Sequence, residues 1–240
     1  MRCRSCARLR YTAPPMSNDL EKQVTARASL TFVEDGQIVG LGSGSTATYF
    51  IRFLGERVRA GLNIRGVPTS IRTQRLAEEC GIPLVTLEQV ASIDVAVDGA
   101  DEFDPKLCLT KGGGGALLRE KIIASAATKF VVVADSGKQV PILGKFPLPV
   151  EVIAFAETLL TRRISALGAA VTLRKAPEGT PYRTDEGHHI LDCNFGKIPD
   201  PPALARTLSD LPGVVEHGLF INMATVVLMA KGDKVIELRR

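Results

Sequence analysis

After Met16 the apolar positions of the chain switch repeatedly between helical spacing and short continuous runs. The first segment predicts a helix over 18–32, capped by Asn18 or Ser17, with Leu20, Val24 and Ala28 on one face. Asp35-Gly36 then turns the chain into an apolar strand at 37–41. A glycine-rich stretch, GLGSGST (40–46), leads into a helix carrying Phe50, Phe53, Leu54 and Val58. The same reading places strands at 62–67, 82–87, 94–97 and 130–134, and helices at 71–80 and 116–128. Strands separated by helices of this length predict βαβ units and an α/β fold whose parallel sheet is buried on both faces.

The pattern changes at KFPLPVEV (145–152). Beyond it the chain reads as strand, helix (154–167), strand (170–174), polar loop, strand (189–192) and helix (202–211), a compact α+β segment. The ending GLFINMATVVLMAKGDKVIEL (218–238) predicts two more strands that return to the first domain. The expected division is a flexible leader at 1–15, a domain of 16–145 with 220–240, and a small lobe at 146–219. There is no internal repeat and no low-complexity tract.

Composition narrows the function classes. Apolar residues make up 45% and charged residues 23% of the 240, which excludes a disordered or fibrous chain. No run approaches the ~18 apolar residues of a membrane span, so no membrane is expected. The formal charge of +4 would invite a nucleic-acid partner, but Arg2, Arg4, Arg8 and Arg10 supply all of it. The rest of the chain is balanced, and no nucleic acid is expected. The leader has no acidic residue and no apolar core of a secretory signal. It weakly resembles an organellar transit peptide; a disordered extension, or a translation start at Met16, are the other readings, and the expected location is cytoplasmic. The five cysteines are scattered, as in a reducing compartment, and Cys3-x-x-Cys6 lacks a second ligand pair for a zinc site. Cys80, Cys108 and Cys193 are expected in the core.

Three constellations carry candidate chemistry. The first is Gly40-Leu41-Gly42-Ser43-Gly44-Ser45-Thr46 between a strand and a helix, where backbone N–H groups and the helix dipole can cradle an anion. The stretch formally fits a dinucleotide fingerprint, but the next strand ends Val67-Pro68-Thr69 with no acidic residue for a ribose, and no Gly-Lys pair makes a Walker loop. A phosphate cradle therefore fits best, with a dinucleotide site and a purely structural turn as equal alternatives. The second is Asp98-Gly99-Ala100-Asp101-Glu102 at the carboxyl end of an apolar strand, where ligands of open α/β sheets gather. These carboxylates can bind sugar hydroxyls or raise one another's pKa; a helix cap or a cation site are the alternatives. The third is Lys111 followed by Gly112, Gly113, Gly114 and Gly115, then Glu120 in the next helix. Four glycines allow a close backbone approach to a ligand, and their N–H groups with Lys111 can stabilise an oxyanion. Glu120 reads either as a general base or as an ordinary helix-surface carboxylate.

In this order and spacing, GSGSTA (42–47), DGADE (98–102) and KGGGGALLREKI (111–122) resemble the type A ribose-5-phosphate isomerases. The similarity continues through DSGKQVPILGKFPLPVEVI (135–153) and LPGVVEHGLF (211–220), so it spans Leu20 to the C-terminus. The resemblance implies a Rossmann-like parallel-sheet domain with a smaller, ferredoxin-like α+β lobe. It implies interconversion of ribose 5-phosphate and ribulose 5-phosphate through an enediolate, with no cofactor and no metal, in the non-oxidative pentose phosphate pathway. It also implies a homodimer or homotetramer. Carried over by position, Glu120 is the general base, Lys111 stabilises the enediolate oxygen, and Asp98 and Asp101 bind sugar hydroxyls and assist ring opening. Ser43, Gly44, Ser45 and Thr46 match the phosphate or sugar loop, Gly112, Gly113 and Gly114 the glycine loop, and Lys138 a basic residue near the ligand. Lys22 is implied as a phosphate partner through a looser N-terminal match, and Ser70 as a sugar contact. The family usually has Thr where Ser43 stands, which keeps the hydroxyl. His188, His189 and His217 fall outside every matching motif and are expected to be solvated or structural.

Overall fold

The computed structural model describes residues 18–240. Its first half builds α1 (Asn18–Ser29), β1 (Ile38–Leu41), α2 (Ser45–Arg59), β2 (Arg65–Pro68), α3 (Ile71–Glu79) and β3 (Ile93–Gly99). Two short strands follow, β4 (Glu102–Phe103) and β5 (Leu109–Thr110), then α4 (Leu117–Ala126) and β6 (Ala127–Asp135). The second half continues with β7 (Leu148–Val152), α5 (Glu157–Ala166), β8 (Ala170–Leu173), β9 (His189–Asn194) and α6 (Pro201–Ser209). It closes with β10 (Val214–His217), β11 (Leu219–Phe220), β12 (Val226–Lys231) and β13 (Lys234–Arg239).

The main sheet has the order β13-β12-β6-β3-β1-β2. All its pairings are parallel except β12 with β13, a hairpin that makes one edge antiparallel. Its inner strands are continuous apolar runs because both faces are covered. In β6, Val131 and Val133 face the core shared with Phe50 and Leu54 of α2. Phe130, Val132 and Ala134 face the opposite core with Ile123 of α4. A four-stranded antiparallel sheet, β10-β7-β9-β8, has its own core in which Val150 and Leu191 meet Leu160, Ile164 and Leu208. A third, three-stranded sheet, β11-β5-β4, contributes Leu109, Phe103 and Phe220 to the core under α4.

Several expected elements are displaced, each for a local reason. The buried stripe of α1 is Glu21, Thr25, Ala26 and Ser29, while Leu20 is exposed. Glu21 turns inward because it accepts N–H groups from Ser136 and Gly232, both at 2.8 Å. The second strand begins at Arg65, since 60–62 close the end of α2 in a turn. No strand forms at 82–87: Leu84 makes only a bridge to Gly66, and Thr86 and Gln89 form a capping box that turns the chain into a short 3₁₀ helix. α4 stops at Ala126, because Ala127 already pairs with Ile93 as the first residue of β6. Strands β4, β5, β10 and β11 have no counterpart among the elements the sequence predicts. The leader 1–15, Ser17 and the Cys3–Cys6 pair lie outside the described residues.

Candidate active site

β1 pairs with β2 on one side and β3 on the other, so the chain reverses its direction of winding at β1. Loops leaving the carboxyl ends of β1, β3 and β6 gather there, as ligand sites of open α/β sheets do. They form a cleft lined by Ser43–Thr46, Gly99–Asp101, Lys111–Gly114, Glu120 and Lys138. Of the site residues implied by the family resemblance, Asp98, Ser70 and Lys22 do not line it.

The glycine stretch after β1 is shaped by two requirements. A Cβ on Gly42 would lie 2.2 Å from Asp98 Oδ1, and Gly44 has φ +102°. No side chain among the described residues caps α2, so its first N–H groups, at Ser45 and Thr46, remain for an anion. The Ser43 hydroxyl is engaged elsewhere. It meets Thr69 Oγ1 (2.8 Å), Ser70 Oγ (2.9 Å) and Thr73 Oγ1 (3.0 Å), a hydroxyl cluster that fastens the loop to the start of α3. Ser70 is the N-cap of α3 and accepts the Thr73 N–H at 3.0 Å. Lys22 sits on α1, outside the cleft.

The chemical centre is a buried cation between two buried carboxyl groups. Lys111 Nζ donates to Asp98 Oδ2 (2.9 Å) and to the Gly99 carbonyl (2.7 Å), and lies 3.2 Å from Glu120 Oε2. That last approach is off the hydrogen-bonding direction, so Glu120 Oε2, although buried, accepts no hydrogen bond among the described residues. Burial pushes the Glu120 carboxyl up to about 8, against the pull of Lys111 and with help from Asp98 and Asp101. Burial raises Asp98 as well, against Lys111 and the N–H groups it accepts. Burial opposes the charge on Lys111, but Asp98 and then Glu120 outweigh it and hold its pKa above the ordinary lysine value. Asp98 Oδ1 takes N–H groups from Ser43 (2.9 Å) and Gly99 (2.7 Å), so both its oxygens are occupied. Asp101 Oδ2 takes the Gly113 N–H at 2.7 Å, and its other oxygen accepts no hydrogen bond among the described residues.

The third acid of the cluster, Glu102, is structural. It receives Gly144 N–H (2.5 Å), Phe146 N–H (3.1 Å) and the Thr110 hydroxyl (3.3 Å), pinning the loop that leads into β7. Sequence reasoning missed Arg174 and Asp192. Arg174 donates to the carbonyls of Gly112 (2.9 Å) and Gly113 (3.1 Å) and pairs with Asp192. No local signal could have found a contact between positions 62 residues apart. Tyr182 also packs on the glycine loop, where a Cβ on Gly115 would lie 2.3 Å from its hydroxyl. His189 and His217 are buried and structural. His217 lies beside Lys121 and Glu216, and its burial and the Lys121 charge lower its pKa to about 4. Cys108 and Cys193 are buried and Cys80 is half-buried, all three as free thiols. Among the described residues, no group of three or more His, Cys, Asp or Glu side chains is arranged to hold a metal ion.

Comparison with known proteins adds independent findings. The family model for ribose 5-phosphate isomerase A (phosphoriboisomerase A) matches residues 65–234. Ribose-5-phosphate isomerase A of Rhodopseudomonas palustris (strain HaA2) is 52% identical over 228 residues, covering 92% of this chain and 98% of its own. The namesake from Roseiflexus sp. (strain RS-1) is 51% identical over 226 residues, with coverage of 93% and 97%. Among solved structures, a D-ribose-5-phosphate isomerase in complex with phospho-erythronic acid superposes with a TM-score of 0.91. It is 42% identical and covers 94% of this chain and 100% of its own. Ribose 5-phosphate isomerase A from Methanocaldococcus jannaschii gives a TM-score of 0.88 at 41% identity, with coverage of 93% and 100%.

Proposed function

The chain belongs to the ribose 5-phosphate isomerase A family, and from that premise we propose how its cleft interconverts D-ribose 5-phosphate and D-ribulose 5-phosphate. The reaction moves one proton between carbons one and two of the open-chain sugar. It needs a base, an electrophile for the developing enediolate and an anchor for the phosphate.

The observation that carries the assignment is the Glu120–Lys111 pair. A carboxyl group and an ammonium group stand 3.2 Å apart on the wall of the cleft, and the carboxyl oxygen that faces the ammonium, Oε2, accepts no hydrogen bond among the described residues. Glu120, ionised, takes the proton from carbon two of the aldose and returns it to carbon one, while the hydroxyl proton exchanges between the two oxygens. Its raised pKa suits this work, because a base near the working pH both accepts and returns a proton readily. Lys111 stays charged and meets the enediolate oxygen. Asp98 acts through Lys111, holding the ammonium in place and keeping it protonated. Asp101 offers its unbonded oxygen to a sugar hydroxyl and assists ring opening. The phosphate binds at the N–H groups that open α2, with Ser45, Thr46 and Lys138 around it. The ligand of the solved relative, phospho-erythronic acid, is a phosphorylated acid and supports a phosphate site of this kind. The mechanism requires no metal and no cofactor. Ribulose 5-phosphate should therefore form when purified, EDTA-treated protein is incubated with ribose 5-phosphate in the absence of nicotinamide. Failure to form it overturns the reading.

The working assembly is proposed to be a homodimer or homotetramer of two-lobed subunits, divided near residues 145 and 220. Phe155 is 98% exposed, with Ile153 and Leu159 exposed beside it, a patch suited to burial against another copy. Light scattering of the purified protein tests this, and a monomer would refute it. No helix among the described residues is long and apolar enough to cross a membrane.

A further inference from the structure

We propose that Arg174 and Asp192, both from the second sheet, are positioning residues that aim the Gly114 N–H at an oxygen of the reacting sugar. The proposal rests on the isomerase reading of the cleft.

Arg174 follows β8 and Asp192 lies on the neighbouring strand β9. The guanidinium grips the carboxylate with both Nε and Nη2, the Nε bond being 2.9 Å long. A two-point pair of this kind fixes the plane of the arginine. The remaining nitrogen, Nη1, donates to the carbonyl oxygens of Gly112 (2.9 Å) and Gly113 (3.1 Å). In a trans peptide the carbonyl and the following N–H point in opposite directions. Holding these two carbonyls from one side therefore directs the N–H groups of Gly113 and Gly114 to the other. The first of them is seen to do this, reaching Asp101 Oδ2 at 2.7 Å. The second, on Gly114, has no partner among the described residues, and Gly114 lines the cleft.

A stitch that only satisfied the loop would not need this geometry. The Gly112 carbonyl already accepts the Gly115 N–H at 3.0 Å, which closes the turn without Arg174. What the arginine adds is the orientation of two peptide planes in a run of four glycines, the sequence with the widest choice of backbone angles. Held this way, the Gly114 N–H is an uncommitted donor on the same wall as Lys111.

The test compares Arg174→Lys and Asp192→Asn with the wild-type protein. Lysine cannot hold a carboxylate and two carbonyls in one plane, and asparagine cannot fix the guanidinium. A misaimed oxyanion donor is expected to lower kcat by about 10- to 100-fold, with KM changed less than about threefold because the phosphate loop is untouched. Calorimetry provides a second reading independent of turnover. Phospho-erythronic acid should bind the variants about tenfold more weakly, while inorganic phosphate should bind as it does to wild type. Two folded variants with wild-type kcat would overturn the proposal. Equal weakening of phosphate and phospho-erythronic acid would also overturn it, because that marks general damage to the cleft. Wild-type protein that forms no ribulose 5-phosphate would refute the isomerase reading instead.

Discussion

Replacing Glu120 by Gln keeps the side chain's shape and removes its ionisation, which makes the stability of this site measurable against pH. In the folded protein burial raises the carboxyl from 4.5 to about 8. A carboxyl whose pKa is raised on folding holds its proton more tightly folded than unfolded. It therefore leaves stability untouched below pH 4.5, lowers it progressively as pH rises, and exerts its full effect above pH 8. Each pH unit in that window is worth about 1.4 kcal/mol. The variant should gain about 3 kcal/mol over wild type at pH 7 and about 5 kcal/mol at pH 9, and essentially nothing at pH 4. The chain has no tryptophan, so urea unfolding is best followed by circular dichroism at fixed ionic strength. A stability difference that stays flat from pH 5 to pH 9, or that favours wild type at high pH, would refute the reasoning. It would mean that Glu120 is ionised in the fold at ordinary carboxylate pH. The base would then be held in the cleft at no expense to the fold.

The remaining expectations follow from the same geometry. The acid limb of kcat/KM should have unit slope and fall near pH 8, leaving about a tenth of the plateau at pH 7; Asp98 titrates with Glu120 while Lys111 stays charged, so the limb belongs to the carboxyl pair. A limb near pH 6, where the substrate's own phosphate titrates, would assign it to the sugar instead. Lys111→Ala should depress turnover more than phosphate binding and should also destabilise the fold by about 3–5 kcal/mol, since it leaves Asp98 buried without its cation; wild-type activity in that variant removes Lys111 from the mechanism. Glu102→Ala orphans the N–H groups of buried Gly144 and half-buried Phe146 and should lower stability by about 2–4 kcal/mol while KM stays close to wild type. Unchanged unfolding would show that Glu102 does not hold that loop.

The sequence carried the sheet and the cleft wherever periodicity or glycine marked them. The β6 run is apolar at consecutive positions because alternate residues enter two different cores, and that pattern is visible in the letters alone. The three motifs could be placed together because each follows a predicted strand or opens a predicted helix. Periodicity misjudged α1, where a buried Glu21 replaced Leu20 on the inner face through long-range N–H contacts at Ser136 and Gly232. It also proposed a strand at 82–87, because an apolar run does not reveal that Thr86 and Gln89 cap one another and turn the chain. Within the motifs, residue type did not reveal direction. Ser43 looked like a ligand donor and spends its hydroxyl on Thr69, Ser70 and Thr73. Asp98 looked like a sugar contact and is filled by backbone N–H groups and Lys111. Arg174 ends the predicted strand 170–174, with nothing nearby in the sequence to mark it.

The central claim is that Glu120 carries the proton between the two carbons, and its most direct test is the turnover of Glu120→Gln with ribose 5-phosphate under saturating conditions. The account predicts a loss of about 10²–10⁴-fold in kcat, with phospho-erythronic acid and inorganic phosphate still bound by the folded variant. A variant that isomerises at close to the wild-type rate would contradict it and place the base elsewhere in the cleft.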